Sequence, residues 1–211
     1  MLNVGLTGGI ACGKSTVARM LVENGAILID FDELAHAIQE PEGDVWLEIV
    51  RHFGEEILHG DRKIDRRRLG EMVFADREKR ELLNRIIHPA IFAEWQRRLE
   101  EIRKNTPDAI VVSDIPLLIE AGMKEMVDLV LLVYITPEEQ VSRAMARDGF
   151  SREEAGQRLA AQMPIDEKLR WADIVIRNEG LPEETRRAVI SVWMDLNIRE
   201  KRRQAGICRS I

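Results

Sequence analysis

Residues 8–15 of the chain read Gly8-Gly9-Ile10-Ala11-Cys12-Gly13-Lys14-Ser15. They match the pattern G-x-x-x-x-G-K-[ST] in full. Glycines at both ends of the pattern let the backbone turn and bring its N–H groups close to phosphate oxygens. An apolar run precedes the pattern and a helical pattern follows it, which is the setting of a phosphate-binding loop. The stretch therefore predicts a site for the phosphates of a nucleotide.

The residue types of this phosphate loop predict a role for each polar side chain. Lys14 supplies a mobile cation for the β- and γ-phosphates of ATP, and the Ser15 hydroxyl is placed to bind Mg²⁺. The alternative, a glycine-rich turn with a chance Lys-Ser pair, is disfavoured by the strand before it and the helix after it. The expected ATP contacts are Gly9, Ile10, Ala11, Cys12, Gly13, Lys14, Ser15 and Thr16.

Working outward from the loop, five short runs along the chain are apolar without alternation. Such runs are typical of parallel strands that are covered on both faces. Helical segments separate them, as a doubly wound α/β sheet requires. The predicted strands are Leu2–Leu6, Ala26–Ile29, Ala109–Val112, Leu129–Ile135 and Ile174–Ile176.

The segments between the predicted strands are helical. The stretch between the second and third strands is too long for one crossover helix, so we interpret it as a helical subdomain over the carboxyl end of the sheet. Capping boxes at Thr136 and Ser151 predict two helix starts that frame a short, charged helical hairpin. A final amphipathic helix is expected over Pro182–Lys201.

Composition narrows the class of protein. The 211 residues carry a net charge of -6, which argues against a general nucleic-acid binder. No apolar stretch approaches the length of a membrane span, and two cysteines, Cys12 and Cys208, do not form a disulfide framework. We therefore expect a cytoplasmic protein without nucleic-acid or membrane partners. Within the loop, Cys12 is read as a small filler rather than a nucleophile, because no His or basic partner adjoins it in sequence.

Carboxylates follow two of the predicted strands, at the edge where ligands bind in doubly wound sheets. Asp30 and Asp32 follow the second strand, and Asp114 follows the third. A kinase that acts on a hydroxyl needs a carboxylate to orient or accept its proton. For Asp32 the residues alone leave this role and a helix N-cap equally open. Since Asp114 precedes Ile115-Pro116, a site role is favoured there.

Two basic features lie elsewhere. Arg143 and Arg147 share one helix face, with Val141 and Met145 expected on the opposite face. Arginines of this kind clamp phosphates or stack on a base, although a solvated charged face is the commoner explanation. His88, which precedes a proline, is read either as a structural residue that caps a helix or bonds to the backbone, or as a ligand.

Several separate motifs together resemble the dephospho-CoA kinase family, from about Leu2 to Thr185. The one departure is Phe31, at a position where the family usually has a small residue. Besides the phosphate loop, the motifs are Asp30-Phe31-Asp32, Asp65-Arg66 through Leu69 and Phe74, Ile87-His88-Pro89, Asp114-Ile115-Pro116-Leu117-Leu118-Ile119-Glu120, Arg143, Arg147-Asp148, Gln162-Met163-Pro164, Lys168 through Ala172-Asp173, and Ile176-Arg177-Asn178-Glu179-Gly180.

This resemblance implies an activity, a fold and a set of site residues. The family transfers the γ-phosphate of ATP, with Mg²⁺, to the ribose 3′-hydroxyl of dephospho-CoA in the last step of coenzyme A synthesis. The implied catalytic residues are Lys14, Asp32 as general base and Arg143 on the transferring phosphoryl group. Arg147 and Asn178 join the ATP contacts, Asn178 beside the adenine. The implied substrate contacts are Thr7, Asp32, His88, Pro89, Asp114 and Leu117.

The implied architecture is that of the nucleoside monophosphate kinases, with a P-loop core, a helical substrate domain and a lid. The core is expected over 1–30, 106–136 and 166–211, the substrate domain over 31–105 and the lid over 137–165. The protein is expected to act on small molecules as a monomer or weak homo-oligomer.

Two other hypotheses stay open at this point. One is a kinase of the same fold that acts on a nucleoside or monophosphate, and the other is a nucleotide-binding switch module. A pure switch needs no acceptor base, so Asp32 and the arginine-bearing lid argue against the second.

Overall fold

The computed structural model describes residues 1–206, which form one five-stranded sheet with helices. The strand order is β2-β3-β1-β4-β5, and the registered pairs β1–β3, β1–β4 and β4–β5 are all parallel. This confirms the predicted α/β fold with a parallel sheet. The strands are β1 (Leu2–Gly8), β2 (Ile27–Asp30), β3 (Ile110–Asp114), β4 (Leu129–Tyr134) and β5 (Ile174–Arg177).

Each predicted apolar run lies in an observed strand, with ends that differ by at most two residues. Every residue of β1 and β3 is buried, as is all of β4 after its first residue. Continuous burial explains why these strands are apolar without alternation. By contrast, β5 lies at the edge of the sheet and exposes alternate residues.

Helices connect the strands and form the long insertion. Each begins and ends as follows: α1 (Lys14–Glu23), α2 (Phe31–Ala37), α3 (Asp44–Phe53), α4 (Arg66–Ala75), α5 (Arg77–Asn105), α6 (Pro137–Asp148), α7 (Arg152–Ala160), α8 (Ile165–Lys168) and α9 (Pro182–Gln204).

The predicted helix starts differ in how they are capped. Ser151 forms a complete capping box with Glu154. At Thr136 only half of the predicted box is present, because the hydroxyl accepts from the N–H of Glu139 while the Glu139 carboxylate binds Arg143 instead. The predicted capping box at Thr136 is therefore wrong, since an (i, i+4) ion pair takes the reciprocal bond.

The chain separates into two compact units. Unit 1 consists of Met1–Ile29 and the chain from Asn105 onward, and unit 2 consists of Asp30–Lys104. The hydrophobic core of unit 1 is built on the sheet and includes the buried strand residues Val4, Val112 and Leu131. The three-part division with a lid at 137–165 stays a prediction. Cys208 and the other residues of 207–211 in the predicted core lie outside the described residues.

Unit 2 is helical and has a core of its own, built on α3 and α4 and including Trp46, Ile49 and Phe53. Phe31, the large residue at a position expected to be small, is buried and packs edge-on against Trp95, with ring centroids 5.4 Å apart. Trp95 is itself almost fully buried on α5. The extra volume of Phe31 is therefore absorbed by an aromatic pair inside unit 2.

None of the helices described in residues 1–206 combines the length and apolar character needed to cross a membrane.

Candidate active site

The phosphate loop joins β1 to α1, and close contacts explain its glycines. A Cβ added to Gly8 would lie 2.4 Å from Sγ of Cys12, and one added to Gly9 would lie 1.9 Å from Nε2 of Gln140. Gly13 has a φ of +83°, in the left-handed region that glycine adopts without strain. Ala11 also has a positive φ, of +56°. A non-glycine residue in this region is uncommon, and such backbone strain tends to occur at ligand sites.

The loop ends at the first turn of α1, which suits an anion. Gly13 precedes this helix without a side-chain cap, and the first turn carries no acidic residue. The positive end of the helix dipole is thus not neutralised by a carboxylate of its own turn. Ser15 lies exposed in this turn. The phosphate-binding character predicted from the sequence therefore has a matching local geometry.

A charged pair lies where the loop meets the end of β3. Nζ of Lys14 donates a hydrogen bond to Oδ1 of Asp114, and the two side chains are only 16% and 4% exposed. The sequence predicted both residues for the site without predicting that they are partners. The Asp114 carboxylate balances the positive charge of Lys14 in this protein. A phosphate group is also an anion, so it can compete with Asp114 for Lys14.

Two polar side chains from distant segments hold the loop, and a third holds one of them in place. The buried Gln140 donates to the carbonyl of Ile10 at 3.0 Å, and Asn178 donates to the carbonyl of Cys12 at 2.8 Å. The Asn178 carbonyl oxygen also accepts from the Thr185 hydroxyl at 2.7 Å. Buried carbonyls need such donors. The predicted adenine contact of Asn178 stays a prediction, and its side-chain amide already holds the loop.

Two predicted substrate contacts, Thr7 and Leu117, differ in burial: Thr7 bonds to the segment that follows β3, and Leu117 belongs to that segment. Thr7 is fully buried, and its hydroxyl donates to the carbonyl of Pro116 at 3.1 Å. Leu117 is 46% exposed. Thr7 therefore holds this segment through its bond to Pro116, while Leu117 is accessible. The substrate contacts of both residues stay predictions.

The two arginines of α6 differ in their surroundings. Arg143 donates from Nε to Glu139 at 2.8 Å and from Nη2 to the backbone carbonyl of Asn178 at 2.9 Å. Arg147 makes two bonds to Asp148, both at 2.9 Å. These bonds raise the pKa of Arg147 and lower that of Asp148. Arg143 is thereby tied to a residue that holds the phosphate loop, whereas Arg147 is tied only to its neighbour in sequence.

The buried face of α6 is not the one predicted. Gln140 and Ala144 are buried, whereas Met145 is 37% exposed and Val141 is only half-buried. The prediction that Val141 and Met145 form the packed face is wrong, because the helix is turned so that Gln140 reaches the carbonyl of Ile10. Apolar character alone favoured the wrong residues here.

Cys12 is a buried free thiol, 1% exposed. Burial raises its pKa, against smaller opposing contributions from backbone N–H groups and from Lys14. A thiol without thiolate character is a poor nucleophile. This supports the interpretation of Cys12 as a small residue that fills space beneath the loop.

At the end of β2, one of the two aspartates, Asp30 or Asp32, caps the helix α2 that follows. Oδ1 of Asp30 accepts from the N–H groups of Asp32 and Glu33, so Asp30 is the N-cap of α2. Asp32 lies in the first turn and is exposed. Among residues 1–206, no hydrogen bond or ion pair involves its carboxylate. The capping alternative for Asp32 is therefore wrong, and its carboxylate is available for another role.

His88 and Pro89 lie inside the 29-residue helix α5 rather than at its end. The interpretation of His88 as a helix cap is therefore wrong. The His88 ring is exposed and contacts Phe92 edge-on, with centroids 6.4 Å apart. Pro89 lines an open groove of about 430 Å³ between α3 and α5, together with apolar residues and the polar side chains of Asp44, Glu48, His52 and Arg85. Their role in substrate binding stays a prediction.

The loop fits Mg²⁺ held mainly by phosphate oxygens. Within the described part of the chain, no three His, Cys, Asp or Glu side chains cluster as metal ligands. Mg²⁺ prefers oxygen ligands and often takes only one or two from the protein, with substrate phosphates supplying others. The Ser15 hydroxyl is exposed in the first turn of α1, and its role as a protein ligand of Mg²⁺ stays a prediction.

Comparisons with known proteins identify the relatives of this chain. The family model described as dephospho-CoA kinase matches residues 2–184. A dephospho-CoA kinase from Syntrophus aciditrophicus is 55% identical over 201 residues, which cover 95% of this chain and 86% of the relative.

Two solved structures are similar over nearly all of both chains. The crystal structure of TT1252 from Thermus thermophilus has a TM-score of 0.77 and 38% identity, covering 92% of this chain and 97% of that one. A dephospho-CoA kinase from Campylobacter jejuni has a TM-score of 0.73 and 31% identity, covering 93% and 97%.

Proposed function

The chain belongs to the dephospho-CoA kinase family, and from this we infer that it phosphorylates dephospho-CoA with ATP in coenzyme A biosynthesis. The observation that carries the inference is the phosphate loop with Lys14 paired to Asp114 at its edge. A regulatory switch would need the loop alone. The chain also has an exposed carboxylate at Asp32 that caps no helix. Arg143 is tied to the loop through Asn178.

We propose the ribose 3′-hydroxyl of dephospho-CoA as the acceptor. Its oxygen forms a bond to the γ-phosphorus of ATP, the bond from that phosphorus to the bridging oxygen breaks, and ADP leaves. Asp32 orients the hydroxyl and accepts its proton. Lys14 exchanges Asp114 for the phosphates and stabilises the charge that develops on the transferring group. Arg143 adds a second cation at that group.

We further propose that Ser15 holds Mg²⁺, which neutralises phosphate charge when bound. Arg147 and Asn178 contact ATP in this proposal, with Asn178 beside the adenine. Thr7, Asp114, Leu117, His88 and Pro89 serve substrate binding. The enzyme acts on small molecules in the cytoplasm, as a monomer or weak homo-oligomer.

The experiment is an acceptor panel with product analysis. We expect ATP consumption with dephospho-CoA, with coenzyme A and ADP as products, and none with nucleosides or nucleoside monophosphates. ATP consumption without any acceptor would favour a switch module, and turnover of a monophosphate would favour a kinase of another class.

Lys14→Ala is the matched variant for this assay. It removes the cation from the loop, so we expect most phosphoryl transfer to be lost, a change of several kcal/mol in the activation barrier. Arg19→Ala, on the exposed side of α1, is the control and should transfer at the wild-type rate. A near-normal kcat for Lys14→Ala would contradict the assigned role of the loop.

A further inference from the structure

A fully buried lysine lies beneath the phosphate loop and has no part in the mechanism above. Lys168, the last residue of α8, is 0% exposed. Its Nζ donates to the backbone carbonyl of Gly8 at 3.2 Å and forms an ion pair with Oε1 of Glu120 at 2.8 Å. Gly8 is both the last residue of β1 and the first of the loop.

The Glu120 carboxylate has a second partner. Its Oε1 accepts from the backbone N–H of Met163 at 3.2 Å. Glu120 follows β3, and Met163 lies between α7 and α8, at the end of the region proposed as the lid. The Lys168–Glu120 ion pair thus connects three segments: Gly8 at the start of the phosphate loop, the segment after β3, and the segment between α7 and α8.

A gain in the free energy of unfolding does not explain why this ion pair is present. Lys168 is fully buried and the Glu120 side chain is 21% exposed, so the pair takes most of the lysine charge and part of the carboxylate charge out of water. Such desolvation is costly, and replacing a buried ion pair by apolar residues of similar volume is often neutral or stabilising. What an apolar pair cannot do is donate to the carbonyl of Gly8 or accept from the N–H of Met163. The bond to Gly8 fixes the peptide plane at which the chain leaves β1, and therefore the direction in which the loop starts.

We propose that Lys168 and Glu120 are a positioning pair, which sets the phosphate loop for ATP and ties to it the segment at Met163. The proposal rests on the proposed function in one respect, that the loop binds ATP. Neither residue touches the reacting groups. Their effect is on the placement of loop atoms, where an error of about 1 Å can cost roughly 100-fold in rate.

Two variants and one control test the proposal. Lys168→Met removes the donor to Gly8 and leaves Glu120 unpaired. The double variant Lys168→Met/Glu120→Leu replaces the whole pair by apolar side chains of similar size, so it should fold even where the single variant does not. Glu200→Gln is the control, because Glu200 is a hydrogen-bonded carboxylate of unit 1 that is more buried than Glu120 and does not contact the loop.

The readouts are the melting temperature, the Kd for a non-hydrolysable ATP analogue and kcat/KM for ATP. We expect the double variant to melt near the wild-type temperature while kcat/KM falls about 10- to 100-fold and the Kd rises in parallel. Glu200→Gln should lower the melting temperature and leave both binding and kcat/KM unchanged.

A double variant that binds the ATP analogue with wild-type affinity would overturn the proposal, because the pair would then only balance charge. Recovery of both stability and affinity in the double variant, after loss of both in Lys168→Met, would overturn it in the same way. Since the Kd is measured without an acceptor, this outcome is distinct from failure of dephospho-CoA to serve as substrate.

Discussion

The catalytic assignment is tested most directly by substituting Asp32. Asp30 already caps α2, so Asp32 does not have to hold the helix. Asp32→Asn keeps the volume of the side chain but removes its charge and basicity. We expect normal folding and normal binding of ATP and dephospho-CoA, with a single-turnover rate lower by about 10²–10⁴, the usual contribution of a positioned base.

The matched control for this prediction is Asp30→Asn, two residues away. Asparagine caps a helix as well as aspartate does, so this variant should keep both stability and rate. If Asp32→Asn turns over within about threefold of wild type, below the usual range for a positioned base, then Asp32 is not the base.

At the scale of single elements, the strands were the most predictable part of the fold. Each of β1 to β5 was predicted within two residues, because buried parallel strands need unbroken apolar runs. Which face of α6 is buried was not predictable from the apolar residues. Val141 and Met145 are more apolar than Gln140, but the glutamine is buried because the carbonyl of Ile10 needs a donor.

The same contrast holds for the site. The phosphate loop was predictable because its glycines, Lys14 and Ser15 are contiguous in sequence. Gln140 and Lys168 donate to the loop from 130 and 160 residues away, and Thr185 acts on it only through Asn178. None of the three belongs to the contiguous loop motif. Which of Asp30 and Asp32 caps α2 was also undecided, since it depends on where β2 ends.

Helix α5 contains a carboxylate with an unusually low pKa. Hydrogen bonds from Arg97, and then from Arg98, lower the pKa of Glu94 from 4.5 to about 2. Arg97 is 60% exposed, so solvent screens the pair. We expect Glu94→Gln to lower the free energy of unfolding at neutral pH by about 1 kcal/mol, rather than the ~3 kcal/mol that the full shift would give.

The sign of the pH dependence follows from the lowered pKa. The contribution of Glu94 is fully present above pH 4.5 and is lost as the pH falls through about 2. Urea unfolding should therefore show the gap between wild type and Glu94→Gln shrinking below pH 4.5. The exposed pair Arg77–Glu81 on the same helix supplies the control, and Glu81→Gln should show almost no gap. A gap for Glu94→Gln that does not change with pH would contradict the prediction.

At the scale of the whole molecule, stability is distributed unevenly. Each unit has a hydrophobic core of its own. Outside these cores, α7 buries only Ala155 and packs against α6. A helix with so few buried apolar side chains opens at low free-energy cost in the free protein. Elements that move on ligand binding are drawn from such regions.

We therefore predict that the segment 137–165 moves and closes when substrates bind. With a non-hydrolysable ATP analogue and dephospho-CoA together, amide hydrogen exchange over α7 should slow, because Arg143 and the charged face beside it engage the phosphates and closure excludes water. Amides of α3, which lie in the core of unit 2, are the internal control and should exchange at the same rate with the ATP analogue alone as without it. Exchange over 152–160 that is the same with and without both ligands would show that this segment is not a lid, and Arg143 would then have to act from a fixed position.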